Sequence, residues 1–235
     1  MRGGGGAVFL VSGIGRLGAF ALALLAFRRL PPSASGATMA ASLSEETARL
    51  VGDYLAHRLG VAGRPPSRAA ETLRRVADEL ERRERSFFRS AASGALQEAG
   101  GEEAEAAAGL VWRVAAQMEL PEEGEAAAAA GGLNWGRVVA LVVFAGNVAA
   151  ALVERGEQGP AQAQAAREAL SEALSAYLAV EKRAWMEEHG GWDGFYHFFN
   201  RRGSDETDQN STISNAIMAA AGFGLAGLAF LLAVR

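Results

Sequence analysis

One stretch of this chain leaves little freedom of architecture. From Val138 to Leu152 the sequence reads VVALVVFAGNVAAAL, apolar right round a helix, so this element must be buried on nearly every side. Other helices are then needed to cover it. Asn134 stands where an N-cap would start it, its side-chain oxygen able to take one of the unbonded N–H groups of the first turn.

The remaining composition agrees with a helical coat. Alanine, leucine, glutamate and arginine dominate and β-branched runs are few, so helix propensity is high and no strand pattern competes. With 235 residues, half of them hydrophobic, the chain can bury one compact core and still carry segments at either end. A net charge of −4 and a pI near 5.5 offer no clustered cationic surface for phosphates, and nucleic acid is set aside. Cysteine is absent, which removes disulfides, thiol catalysis and thiolate metal sites and suits a cytosol-facing protein.

Ser44-Glu-Glu-Thr47 looks like a capped helix start, with Leu50, Val51, Tyr54, Leu55 and Leu59 tracing one face before Gly60, Gly63 and Pro65-Pro66 end it. A second, densely charged helix is expected from about Ser67 to Ala92, with Ala69, Leu73, Val76 and Leu80 as its apolar stripe. Phe87 and Phe88 are large enough to anchor it in the core or to line a pocket. Gly100 to Ala108 suits a flexible or weakly helical connection, a helix follows at Leu110–Met118, and Pro121 to Gly132 reads as a loop. Beyond a linker around Gly156 to Pro160, Ala165 to His189 is expected as one long amphipathic helix. Gly190-Gly191 terminates it, and Trp192 to Phe199 makes a short aromatic one.

The two ends differ from this body. Gln209 to Val234 carries no charge, and Ala216 to Val234 is apolar and helix-compatible over roughly 28 Å at about 1.5 Å per residue, close to the hydrocarbon thickness. A tail anchor is expected there, with the body left in the cytosol. Gly222, Gly224 and Gly227 spell a dinucleotide-type glycine pattern, but no strand precedes them and close helix packing explains them better. The sequon at Asn210 is expected to stay unmodified in that topology. At the other end Ala7 to Phe27 is apolar with one Arg16, and no acidic residue precedes Glu45. A signal peptide, an organelle presequence and a first membrane span all remain open, as does an upstream extension ahead of a working start at Met39.

No catalytic set emerges. His57, His189 and His197 are far apart in sequence, and Glu45-Glu46, Glu102-Glu103, Glu122-Glu123 and Glu187-Glu188 read as solvated surface, without nucleophile–base or metal-ligand spacing. The expectation is a protein that is not an enzyme and needs no cofactor.

Three segments carry a specific resemblance. Leu133-Asn-Trp-Gly-Arg137 ahead of the apolar helix resembles the first homology motif of the B-cell-lymphoma-two (Bcl-two) family of apoptosis regulators. Gly190-Gly-Trp-Asp-Gly-Phe195, with Trp185 before it and Phe198-Phe199 after it, resembles the second, and Leu73-Arg-Arg-Val-Ala-Asp78-Glu-Leu80 resembles the third. Arg85-Ser-Phe-Phe88, Trp135-Gly-Arg-Val-Val139 and Phe144-Ala-Gly146 make the likeness closest to the branch known as Bcl-B, Boo, Diva or Nr-thirteen. It spans about Met39 to Arg235. Gly124 to Gly132 looks longer than the family's connection there, and the first forty residues have no counterpart.

The resemblance implies an all-α, Bcl-two-like helical bundle around a buried hydrophobic hairpin, with a C-terminal transmembrane helix. On this reading residues 1–38 are an N-terminal extension and 39–208 the helical domain, with a first-helix region at 44–60 and homology motifs at 69–83, 133–150 and 185–200. Residues 209–235 form the tail, with the anchor at 216–234. It further implies a groove that takes an amphipathic helix from pro-apoptotic relatives, the Bax and Bak class and the death-motif-only proteins. Arg137 would pair with that helix's acidic residue, its fork of donors matching a carboxylate better than a lysine could. Gly136 would let the partner backbone approach, Asn134 would cap and touch it, and Leu80, Phe88, Val139, Ala140 and Phe144 would line the groove opposite Val114 and Met118. Trp135 and Trp192 read as core staples. Leu73, Val76, Asp78 and Leu80 would form the chain's own death-motif-like stripe on one face. The implied role is anti-apoptotic, at mitochondrial or reticulum membranes, with reticulum calcium channels as further contacts; a membrane-permeabilising effector of the same fold is the alternative.

Overall fold

A computed structural model describes residues 36–99, 104–118, 133–155 and 160–200. The chain divides into two compact units, Met1–Ala40 and Ala41–Arg235. Of the first, only residues 36–40 are described, as the opening of helix α1. The Pro121–Gly132 loop and the 216–234 anchor expected from the sequence lie wholly outside the described residues, and so does Ala7–Phe27.

All regular structure among the described residues is helical. The helices are α1 (Gly36–Arg58), α2 (Arg68–Glu98), α3 (Ala104–Met118), α4 (Trp135–Glu154), α5 (Pro160–Ala176), α6 (Arg183–Glu188) and α7 (Gly191–Phe199). Helix α4 is the axis: every residue from Trp135 to Ala150 is buried, and α2, α3 and α5 all pack on it. It is long and apolar enough to cross a membrane, yet 89% of its most apolar window is covered by protein. The all-round apolar sequence is answered by an all-round helical coat.

Helix ends follow local chemistry. Asn134 is extended (φ −144°, ψ 165°) and its Oδ1 accepts the N–H of Arg137 at 2.9 Å, the expected cap of α4. Ser67 does the same for α2, accepting from Ala70 N–H at 3.2 Å. At the end of α1, Val61 N–H reaches Ala56 C=O (2.9 Å) and Gly60 N–H reaches His57 C=O (3.0 Å). That paired closure requires a left-handed residue, which Gly60 supplies at φ 73°.

Several boundaries differ from expectation: α3 already begins at Ala104 and α5 at Pro160, ahead of the expected Leu110 and Ala165. Ser44 does not cap α1, which already runs from Gly36, because the Ala- and Met-containing stretch ahead of Ser44 is itself helix-forming. Thr47 accordingly makes no capping-box contact. Its Oγ1–H donates one turn back to Leu43 C=O (2.7 Å) and its oxygen accepts the indole N–H of Trp192 (2.9 Å). Helix α2 continues six residues past Ala92 but is kinked at Glu84 (φ −111°, ψ 28°). The expected single helix from Ala165 to His189 is interrupted by a π-helical turn at Tyr177–Glu181 and by Lys182. No glycine or proline in that stretch announces the break.

Gly190 and Gly191 turn the chain with φ 75° and 58° and deliver α7 to an aromatic corner. Trp135 meets Trp185 at 4.7 Å, Trp192 at 6.3 Å and Phe195 at 5.4 Å between ring centroids. Trp135 and Trp192, at 4% and 1% exposure, are core staples as expected. They tie the start of α4 to the end of the bundle.

Candidate functional site

The residues expected to receive a partner helix converge from three elements. Leu80 and Phe88 come from either side of the kink in α2, Val114 and Met118 from α3, and Gly136, Arg137, Val139, Ala140 and Phe144 from the first half of α4 behind its cap Asn134. Helices α2 and α3 both pack on α4, and α2 also packs on α3. The ten residues thus lie on three mutually packed helices and the cap of the third.

Their exposure departs from an open surface groove. Asn134 is half-buried; the other nine are buried, Arg137 at only 2% exposure. Burying a guanidinium is costly unless it is bonded, and Arg137 is engaged within the fold.

The apolar stripe of α2 also differs from expectation. Leu73, Val76 and Leu80 are fully buried, but Asp78 is not on their face: its side chain is 52% exposed and turned toward α1. Helical geometry explains this, since five residues from Leu73 is about 140° of rotation at roughly 100° per residue. The acidic residue of this motif lies on the flank of the stripe.

That flank holds a polar junction the sequence did not disclose. His57 Nε2–H donates to both Asp78 oxygens (2.9 and 3.1 Å). Arg74 grips both oxygens of Asp53 through Nε and Nη2 and donates from Nη1 to Gly63 C=O (3.0 Å). Arg58 pairs with the nearly buried Glu81 (2.7 Å) and reaches Asn147 Oδ1 of α4 (3.4 Å), while Asn147 donates to Val143 C=O (2.9 Å). Tyr54 lies fully buried beside them, with its hydroxyl unpaired, and burial followed by the Glu81 charge pushes its ionisation far up. Asn147, the one polar side chain between Val138 and Leu152, was the available signal. His57, to which the sequence assigned no partner, is half-buried and bonded.

Two further carboxylates respond to their surroundings. Glu79 accepts from Arg82 and Arg83, and those bonds hold it below the usual carboxylate range. Glu46 is pushed above that range by burial and then by the Asp193 charge, with Arg49 opposing.

A helical bundle wrapped around a buried apolar axis, with a buried arginine in the first turn of that axis, is the class of fold the described residues define. Comparison with known proteins identifies the family. Residues 73–192 match the model for the Bcl-2 family of apoptosis regulator proteins. The chain is 59% identical over 198 residues to the chicken (Gallus gallus) anti-apoptotic protein NR13, covering 84% of this chain and all of that one. It is 35% identical to human Bcl-2-like protein 10 over 182 residues, covering 69% and 79%. Among solved structures, the zebrafish pro-survival protein NRZ in complex with a Bad BH3 segment superposes with a TM-score of 0.57 at 32% identity, covering 69% of this chain and 98% of that one. The NRZ apo structure gives 0.55 at 34%, covering 70% and 97%. The chain belongs to the Bcl-2 family.

Proposed function

We propose that the protein is a pro-survival regulator that binds the amphipathic death-motif helix of pro-apoptotic relatives, through the α2–α3–α4 region, with Arg137 as the charge partner. The observation that carries this reading is that Leu80, Phe88, Val114, Met118, Val139, Ala140 and Phe144 lie buried on three mutually packed helices, one of which begins at a capped start that holds Arg137. The likeness to NR13, whose name describes it as anti-apoptotic, and to NRZ, solved with a BH3 segment, supports it.

Because the site is closed in the free chain, binding couples to a local parting of α2 and α3 from α4. A partner's apolar residues at i, i+3, i+4 and i+7 then replace contacts those helices make with each other. The cost of opening is deducted from affinity and favours ligands with a complete apolar face. Residues 216–234 fit a membrane anchor that would hold the body at the cytosolic face of the mitochondrial outer membrane or the endoplasmic reticulum.

The test is binding of a fluorescent death-motif helix, followed by polarisation, to the wild-type chain and to Arg137→Ala and Arg137→Lys. Loss of roughly 1.5–3 kcal/mol in the alanine variant is expected for a charge-assisted bond, with a smaller loss for lysine, which keeps charge without the fork. The alternative, a permeabilising effector, draws on the apolar length of α4. Dye release from liposomes by the protein alone would favour it.

A further inference from the structure

The π-turn that follows α5 has a geometric consequence for the candidate site. Lys182 N–H bonds to Tyr177 C=O at 2.9 Å, five residues back where a regular α-helix reaches four. Such a turn takes up one extra residue, and each residue turns a helix by about 100°, so everything beyond it is set back by that angle. Along a regular helix Trp185 would stand about 80° round from Tyr177; with the extra residue the two lie within about 20°. Leu174 and Met186, both fully buried, would stand about 120° apart and are brought into line in the same way.

Both aligned aromatic rings are engaged. The Tyr177 ring, 2% exposed, meets Trp112 of α3 edge to face at 5.7 Å between centroids, and Lys182 Nζ lies 5.6 Å over it. Trp185 meets Trp135 at 4.7 Å, and Trp135 is the first residue of α4 behind the Asn134 cap. Pairs of this kind have a preferred geometry and contribute beyond the area they bury. Helix α3 rests more on α5 than on α4 or α2. Trp112 and Val114 are about 200° apart round α3, so Tyr177 holds that helix by the face away from Val114.

We propose that the π-turn at Tyr177–Glu181 is a positioning element of the helix-binding site. Its extra residue sets Tyr177 against Trp112 and Trp185 against Trp135 from one face of one rod. It thereby fixes the wall that carries Val114 and Met118 relative to the helix start that carries Arg137. Tyr177 and Trp185 are positioning residues here and touch no ligand. The proposal rests on the helix-receptor reading above and names what sets the spacing of that site.

The test uses the full chain in three forms: wild type, a chain with Val180 deleted, and a chain with the same deletion and an alanine inserted after Lys182. Val180 is 50% exposed, so its side chain contributes little to the core. The deletion is expected to weaken binding of the labelled death-motif helix by at least about tenfold, and to diminish the near-ultraviolet circular dichroism of the paired tryptophans. The compensated chain has a different local sequence and the original helical phase, and is expected to recover both. Wild-type affinity in the deletion chain would overturn the proposal, and so would a compensated chain as weak as the deletion. If the deletion chain does not unfold cooperatively, Tyr177→Leu decides: it keeps an apolar side chain without the Trp112 ring contact. About threefold weaker binding is then expected, and unchanged binding is the contrary result. A wild-type chain that binds no death-motif helix removes the receptor reading, while the dichroism of the three forms still decides whether the turn sets the Trp135–Trp185 contact.

Discussion

The two sides of helix α2 are built on different physics. One side sends Leu73, Val76, Ala77 and Leu80 into a fully dry contact with the rest of the core; the other faces α1 through Arg74, Asp78 and Glu81, each with a designated partner. Apolar burial is large but undirected, at roughly 25 cal/mol per Å², and tolerates many similar arrangements. Paired charges contribute little net energy, because desolvation offsets attraction, yet they penalise a wrong register strongly. The contrast teaches that α2 is held in place by one face and told where to sit by the other.

The difference can be attacked from each side. Leu73→Ala removes a fully buried side chain from the dry face and should cost about 2–5 kcal/mol by denaturant unfolding, the usual range for such a cavity. A loss below about 1 kcal/mol would show that this face is looser than its burial implies. On the wet face the expected sign is opposite for Tyr54→Phe. The tyrosine hydroxyl is buried without a bonding partner, and leaving a polar group unsatisfied costs about 1–3 kcal/mol. Its removal should leave stability unchanged or raise it by up to about 1 kcal/mol. A drop of similar size would mean that the hydroxyl is bonded in solution.

The smallest effect is one of pH. Glu46 on α1 is held above the usual carboxylate range by burial and by Asp193 on α7. A carboxyl whose folded value is raised supports the fold fully below its unfolded value and loses that support as pH rises through the folded value. Glu46→Gln should therefore match wild type near pH 4 and be slightly more stable at pH 7, read as a Tm difference that grows with pH. A constant difference across that window would remove Glu46 from the account.

How much of this was legible in the sequence follows from the same contrast. The enclosure of α4 was readable because Val138 to Leu152 allow only one environment, and the Asn134 cap and Gly60 stop were readable because each is a local bond. The π-turn at Tyr177–Glu181 was not, since no local breaker marks it. The Asp53–Arg74, His57–Asp78 and Arg58–Glu81 pairs join residues more than twenty positions apart, and nothing local selects among the many charges of α2. Candidate ligand-binding positions could be named by motif, but their burial could not, because the same leucines, valines and phenylalanines can make a core or line a surface groove.

Recognition of an incoming helix through its acid is the role proposed for Arg137. It is tested most directly by a double-mutant cycle: the wild-type chain and Arg137→Ala, each titrated with a labelled death-motif helix and with the same helix carrying asparagine in place of its aspartate. A coupling of at least about 1.5 kcal/mol is expected, the lower end for close interfacial charge pairs. Additive losses, with a coupling near zero, would contradict it.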